Sequence, residues 1–91
     1  MKTKRNKIEI IFDILKAIQN KQGKIKPTHL LYKSNLSYKK MNEYLDDLIT
    51  KSMVSSVMEK NNKKFYTITE TGLTFLQEYK KMREFTDSFG L

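Results

Sequence analysis

Apolar residues near the start of the chain recur at steps of three and four, the spacing of one face of an α-helix. They are Ile8, Ile11, Phe12, Leu15 and Ile18. Polar residues occupy the opposite side, and Gly23 stands where a helix commonly stops. The pattern predicts an amphipathic first helix from Asn6 to about Gln22. The link that follows, Lys24 to Lys26, could pair as an edge strand.

Two further helices are predicted on either side of a tight turn. Pro27 suits the first turn of a helix, where its missing N–H would have had no partner, so a short second helix covers residues 28–33. Ser34-Asn35-Leu36 is typical of a turn, and Ser37 is a good N-cap for a third helix from Tyr38 to about Ser52. The buried stripe predicted for this helix is Met41, Leu45, Leu48 and Ile49.

The hydrophobic pattern then changes from helical to alternating, which predicts a β-hairpin. Val54, Ser56 and Met58 share one face of the first strand, and Tyr66 and Ile68 share a face of the returning strand. The polar segment 60–64 between them forms the predicted tip. Thr69 is the expected N-cap of a last helix over residues 70–88. The whole chain, 1–91, is therefore expected to be a single domain, with residues 1–6 as a basic tail.

Charge adds a candidate partner to this outline. Eighteen Lys and Arg residues against ten Asp and Glu give a formal charge of +8, and such an excess attracts polyanions in a salt-dependent way. There is no cysteine and only one histidine, which argues against disulfides, zinc sites and thiol catalysis. No glycine-rich phosphate loop or catalytic carboxylate pair is evident, so we expect neither an enzyme nor a bound cofactor. No apolar run approaches the roughly 20 residues that span a bilayer, and we expect a cytoplasmic protein without membrane contact.

The order of elements resembles the winged helix-turn-helix family. The segment Tyr66-Thr67-Ile68-Thr69-Glu70-Thr71-Gly72 is similar to that family's frequent Tyr-x-Leu-Thr-x-x-Gly junction between strand and helix. The segments 8–15 and 37–41 carry a closer likeness to the short archaeal winged-helix DNA-binding proteins of about ten kilodaltons. The resemblance implies an α+β, mostly α fold, a winged helix-turn-helix with three helices, a β-hairpin wing and a C-terminal helix. It also implies binding to double-stranded DNA, for transcriptional regulation or as a chromatin-like protein with little sequence preference.

Residues at the start of the third helix are the first candidates for DNA contact, because that part of a recognition helix usually reaches base edges in the major groove. They are Ser37, Tyr38, Lys39, Lys40, Asn42 and Glu43. Cations at a helix N-terminus run against the helix dipole, at a cost of about 0.3–1 kcal/mol, and an arriving anion would compensate that cost. A solvated pair of surface lysines is the alternative explanation.

The wing tip and the start of the second helix are the other candidates. Lys60, Asn61, Asn62, Lys63 and Lys64 suit contact with the phosphate backbone or the neighbouring minor groove. The alternative is an ordinary soluble turn. Thr28 could hold a phosphate with its hydroxyl and the free N–H groups of the helix start. The basic tail, with Lys2, Lys4, Arg5 and Lys7, either follows DNA or only increases solubility.

The last helix is the candidate surface for a homodimer. Its apolar residues Phe75, Tyr79, Met82 and Phe89 lie close to the spacing of a helix–helix seam, and the resemblance implies an antiparallel coiled coil of two copies. The predicted helix is, however, shorter than a long dimerising coiled coil, and Tyr79 with Leu73 and Leu76 could instead close the protomer core. A winged-helix module that binds another protein is the competing function, and an exposed apolar patch would favour it.

Overall fold

The computed structural model describes residues 5–91. Within that range the elements follow in the order α1, β1, α2, α3, β2, β3 and α4. Their bounds are Lys7–Asn20 (α1), Lys24–Ile25 (β1), Pro27–Ser34 (α2), Tyr38–Thr50 (α3), Val54–Glu59 (β2), Lys63–Ile68 (β3) and Glu70–Ser88 (α4). A single 3-10 turn, Lys60–Asn62, joins β2 to β3. The order agrees with the predicted one, and no helix in residues 5–91 is long and apolar enough to cross a membrane.

Local side-chain caps explain where three of the helices begin. The side chain of Asn6 accepts a hydrogen bond from the Glu9 N–H, and the Glu9 carboxylate accepts one from the Asn6 N–H, at 2.8 and 2.9 Å. This reciprocal pair satisfies two donors that the helix itself cannot. Ser37 and Thr69 cap α3 and α4, as predicted from the sequence. α2 instead starts at Pro27, and its N-cap, Lys26, provides no side-chain hydrogen bond.

The three strands form one antiparallel sheet in the order β1-β3-β2. β1 pairs only with β3, which confirms the expected edge strand at Lys24 and Ile25. Val54 lies opposite Ile68 and Ser56 lies opposite Tyr66, so the two sets of alternating residues share a face, as predicted. That face is buried at Val54 and Tyr66, close to the helices, and becomes exposed towards the tip. The outer part of the hairpin therefore extends beyond the core.

The core lies between the helices and the base of this sheet. Every helix and every strand contributes to it: the buried apolar residues are Ile11, Ile14, Leu15, Ile18, Ile25, Leu30, Met41, Leu45, Leu48, Val54, Tyr66, Leu76 and Tyr79. Two residues assigned to buried faces from the sequence lie outside it. Ile8, the second residue of α1, and Ile49, the last but one of α3, are both exposed.

The start of α4 packs against the hairpin without space for a side chain at Gly72. A Cβ atom at Gly72 would lie 2.4 Å from the carbonyl oxygen of Met53 and 2.8 Å from the Ile68 side chain. Thr69 fixes this approach, because its hydroxyl donates to the Ser52 carbonyl oxygen at 2.6 Å and accepts from the Gly72 N–H at 3.1 Å. The glycine of the strand-to-helix junction is thus required by close backbone contact.

Replacement of Gly72 by alanine is expected to lower the free energy of unfolding by about 1–3 kcal/mol, because the new methyl group must displace the backbone of Met53. Urea unfolding followed by circular dichroism measures this difference. Thr74→Ala, an exposed position of the same helix, is the matched control and should change stability by no more than about 0.5 kcal/mol. Equal stability of both variants would contradict the close contact.

Candidate nucleic-acid interface

The start of α3 is an exposed, positively charged helix end. Ser37 has an extended backbone, and its hydroxyl accepts a hydrogen bond from the Lys40 N–H at 3.1 Å. Met41 is buried and fixes the rotation of the helix, which leaves Tyr38, Lys39 and Lys40 facing solvent. No acidic residue lies in the first turn. The positive end of the helix dipole therefore coincides with two lysines.

The candidate residues of α3 divide between two sides of the helix. Lys40 and Glu43 approach each other to 3.8 Å and line, with Lys7 and Asp47, a depression of about 220 Å³ beside the start of α1. Lys39, the neighbour of Lys40 in sequence, projects from a different side of the helix. No carboxylate in residues 5–91 lies within ion-pair distance of its ammonium group. The exposed Lys40–Glu43 pair contributes little to stability. The two lysines thus point their charges to different sides of the helix start.

The acidic residues of α3 beyond Glu43 lie further from this end. Asp47 forms an ion pair with Lys51, one turn further along the helix. The pKa of the Asp47 carboxyl lies below its ordinary value, chiefly because Lys51 donates a hydrogen bond to it; desolvation opposes this shift, and the positive charges of Lys51 and Lys7 add to it. Asp47 is therefore ionised and paired at neutral pH, and its charge is offset locally.

The turn between α2 and α3 is fastened to α1 by Arg5. The Arg5 guanidinium donates to the Asp13 carboxylate at 2.7 Å and to the carbonyl oxygen of Ser34 at 2.9 Å. That carbonyl belongs to the last turn of α2, where helix carbonyls lack partners. Asn35 follows in the left-handed conformation, with φ 56°. Arg5 and Asn6, assigned from the sequence to a basic tail, are thus engaged with α1 and α2, whereas Lys2 and Lys4 lie outside the described residues.

The tip of the hairpin is shorter than predicted: it spans Lys60–Asn62 instead of residues 60–64. Asn61 and Asn62 both have positive φ, 64° and 58°, which asparagine tolerates better than most residues. Lys63 and Lys64 belong to β3, and the ammonium group of Lys64 lies 5.1 Å from the centre of the Tyr66 ring. Lys60 and Lys63 have no carboxylate within ion-pair distance among residues 5–91. The hairpin therefore carries two uncompensated lysines at its end.

Lys24 links β1 to the outer end of β2, a contact between residues 35 positions apart that was not predicted from the sequence. Lys24 of β1 crosses the ring of Phe65, 4.6 Å from its centre, and reaches the Glu59 carboxylate at 2.5 Å. Glu59 lies at the last position of β2, next to the tip. Met58, predicted to share a face of β2 with Val54 and Ser56, is 62% exposed among the lysines of the hairpin.

The structure divides the four candidate dimer residues of α4 into two groups. Tyr79 is only 8% exposed, because its ring stacks on Phe12 with 4.5 Å between centres, and Phe75 is partly buried beside it at 6.1 Å. Tyr79 thus serves the protomer core rather than an open seam. Met82 and Phe89 remain 50% and 66% exposed. Phe85, not singled out from the sequence, is exposed as well and contacts Phe89 edge to face.

Comparison with known proteins gives a family match and similar chains in archaea. A family model described as winged helix-turn-helix matches residues 4–87. The uncharacterized protein MJ0290 of Methanocaldococcus jannaschii is 33% identical over 79 residues, which are 87% of this chain and 34% of that protein. The uncharacterized protein MJ0287 of the same organism is 31% identical over 85 residues, 93% of this chain and 80% of that protein. The chain thus spans about a third of MJ0290.

A solved structure agrees with these matches. Sso10a-2, a DNA-binding protein from Sulfolobus solfataricus, superposes with a TM-score of 0.74 at 31% sequence identity. The alignment covers 94% of this chain and 90% of that one. The resemblance and the fold predicted from the sequence are thereby confirmed.

Removal of the cap of α3 is expected to weaken the fold at the candidate interface. Ser37→Ala leaves the Lys40 N–H without its acceptor and should lower the free energy of unfolding by about 1 kcal/mol. Thermal or urea unfolding without any ligand measures the effect. Ser37→Asp keeps an acceptor and should retain stability within about 0.5 kcal/mol. An alanine variant as stable as the aspartate variant would show that the cap contributes nothing.

Proposed function

Because this chain belongs to the winged helix-turn-helix family, we propose that it binds double-stranded DNA. In this proposal the start of α3 enters the major groove and the tip of the hairpin, the wing, follows the phosphate backbone. The similar chain Sso10a-2 is a DNA-binding protein, which supports the same activity here. We further propose that the protein acts in the cytoplasm as a transcriptional regulator.

The observation that carries the proposal is the exposed positive charge at the start of α3. Lys39 and Lys40 stand at the positive end of the helix dipole, where cations are unfavourable, and the first turn contains no acid. Lys39 has no acidic partner in residues 5–91, and Lys40 has only the exposed 3.8 Å contact with Glu43. This arrangement of charge does not stabilise the folded protein, whereas a DNA phosphate bound at the helix end would stabilise it. Ser37, Tyr38 and Asn42 of the same helix would supply polar contacts to base edges.

The wing and α2 extend the proposed contact along the backbone. Lys60 and Lys63, with Asn61 and Asn62 between them, would contact phosphates or the minor groove, and Lys64 would follow on β3. The first turn of α2 has no side-chain cap, so the N–H groups near Thr28 would be available to a phosphate oxygen. Glu43, beside Lys40, would accept from a cytosine amino group.

We also propose that the protein is a homodimer through the last three turns of α4. Beyond Tyr79, Met82 and Phe85 of this helix and its C-cap residue Phe89 are exposed. They form an apolar stripe that the rest of the protomer leaves uncovered. Lys80 and Lys81 precede Glu84 and Asp87 along it. An antiparallel arrangement of two copies would place the cations of one helix beside the carboxylates of the other, in agreement with the coiled coil that the resemblance implies.

Loss of the α3 lysines is expected to weaken DNA binding. Lys39→Ala with Lys40→Ala should reduce affinity for a random 30-base-pair duplex about tenfold and lower the salt-dependence slope by about 2, one per phosphate contact. Fluorescence anisotropy at several salt concentrations measures both. Lys16→Ala with Lys51→Ala removes the same charge from exposed positions outside the proposed DNA and dimer contacts and should have a smaller effect. No binding by the unaltered protein at low salt would exclude DNA and favour the protein-interaction module.

Charged residues in the stripe of α4 are expected to separate the dimer. Met82→Glu with Phe89→Glu should give protomers where the unaltered protein sediments at twice the protomer mass, because buried unpaired carboxylates are unfavourable. Sedimentation equilibrium over a concentration series measures this change. Thr74→Glu with Gln77→Glu adds the same charge to exposed positions nearer the start of the helix and should leave the dimer intact. A single species of protomer mass at all concentrations would disprove the dimer.

A further inference from the structure

A second charged surface lies between the end of α1 and the start of α2. A cavity of about 240 Å³ opens there, lined by Ala17, Asn20, Lys21, His29 and Lys33. His29 and Lys33 are four residues apart on α2 and so lie on one face of that helix, as Ala17 and Lys21 do on α1. None of the five belongs to the residues proposed above for DNA contact.

The charge of this cavity is of one sign. Its lining includes the two lysines, Lys21 and Lys33, and no carboxylate. Elsewhere in residues 5–91, four lysines have acidic partners: Lys24, Lys40, Lys51 and Lys81. No Asp or Glu oxygen lies within 4.0 Å of the ammonium groups of Lys21 or Lys33. The first turn of α2, which contains His29, has no acidic residue either. Like charges around one concave surface repel each other unless an anion lies between them.

The chemistry of the lining identifies the kind of anion. Lysine ammonium groups act as point charges with three donors each and suit the spread oxygens of a phosphate-type anion. The side-chain amide of Asn20 and the ring N–H of His29 add neutral donors of hydrogen bonds. Ala17 adds no polar atom and keeps the cavity open between the two helices. The lining thus offers donors of hydrogen bonds around an opening large enough to admit a small anion.

We propose that this cavity binds a phosphate-type oxyanion through Lys21 and Lys33, assisted by Asn20 and His29. Two sources have this chemistry. One is a backbone phosphate of a duplex held by α3 and the wing, which rests on the function proposed above and would lengthen its contact along the DNA. The other is a small free oxyanion in solution.

Sulfate is the probe for the site, because its charge is constant near neutral pH. The full chain, without DNA, is titrated with sodium sulfate replacing chloride at constant ionic strength. Its single histidine gives an unambiguous ring signal in the proton NMR spectrum. We expect the signals of His29, Lys21 and Lys33 to shift in a saturable way while those of the wing move little. Shifts that are linear in sulfate, or equal over the whole surface, would overturn the proposal.

Matched variants show whether the cavity itself binds the anion. Lys21→Gln with Lys33→Gln should weaken sulfate binding about tenfold, as expected for the loss of charged hydrogen bonds. Lys16→Gln with Lys51→Gln carries the same change of charge at exposed positions outside the cavity and the proposed DNA and dimer contacts, and should retain the affinity. All four lysines are exposed, and backbone amide spectra verify that each variant is folded. Equal affinity of the two variants would overturn the site.

A DNA titration then separates the two sources. If the backbone occupies the cavity, Lys21→Gln with Lys33→Gln lowers the salt-dependence slope of duplex binding by about 2, and the control pair does not. If only sulfate binding is lost, the occupant is a small free oxyanion. The sulfate titration contains no DNA, so a failure of the unaltered protein to bind a duplex would reject the proposed function without affecting the test of the cavity.

Discussion

Ile14, Leu15 and Ile18 of α1 are fully enclosed, and the placement of α2, α4 and the base of the sheet follows from that burial. α1 contacts α2, α4, β1 and β3, so it is the element on which the others are assembled. Burial of three such side chains stabilises the fold by several kcal/mol, on the order of 1.5–3 kcal/mol each. α3 has no comparable contact with α1 and is held by the turn after α2 and by β2. Its exposed start is consequently presented at the edge of the molecule.

Local rules predicted most of this architecture. The helix caps at Ser37 and Thr69, the edge strand at Ile25 and the shared face of Val54 and Tyr66 depend on residues close in sequence or on a simple alternation, and all are present. Helix and strand bounds differ from the predictions by only one or two residues. A strongly periodic sequence fixes its elements because the apolar positions of each can be buried on one side only.

The sequence could not predict contacts between distant residues. Arg5 reaches the Ser34 carbonyl 29 positions away, and Lys24 reaches Glu59 across 35. Neither separation along the chain corresponds to a helix or strand repeat, so the sequence does not indicate that these residues are in contact. The assignment of Tyr79 to a helix seam had the same limitation, since only the packed structure shows Phe12 against its ring. For the candidate interface, residue types indicated where charge accumulates, but the division of Lys39 and Lys40 between two sides of α3 depends on the burial of Met41.

The left-handed backbone at Asn61 and Asn62 constrains how this wing can change through evolution. Most side chains are unfavourable at positive φ, so these two positions accept asparagine, aspartate or glycine far more readily than a larger residue. New contacts at the tip must therefore arise at Lys60 and Lys63, whose backbones impose no such restriction. A lineage that alters the contacts made by its wing would keep the two asparagines and vary Lys60 and Lys63.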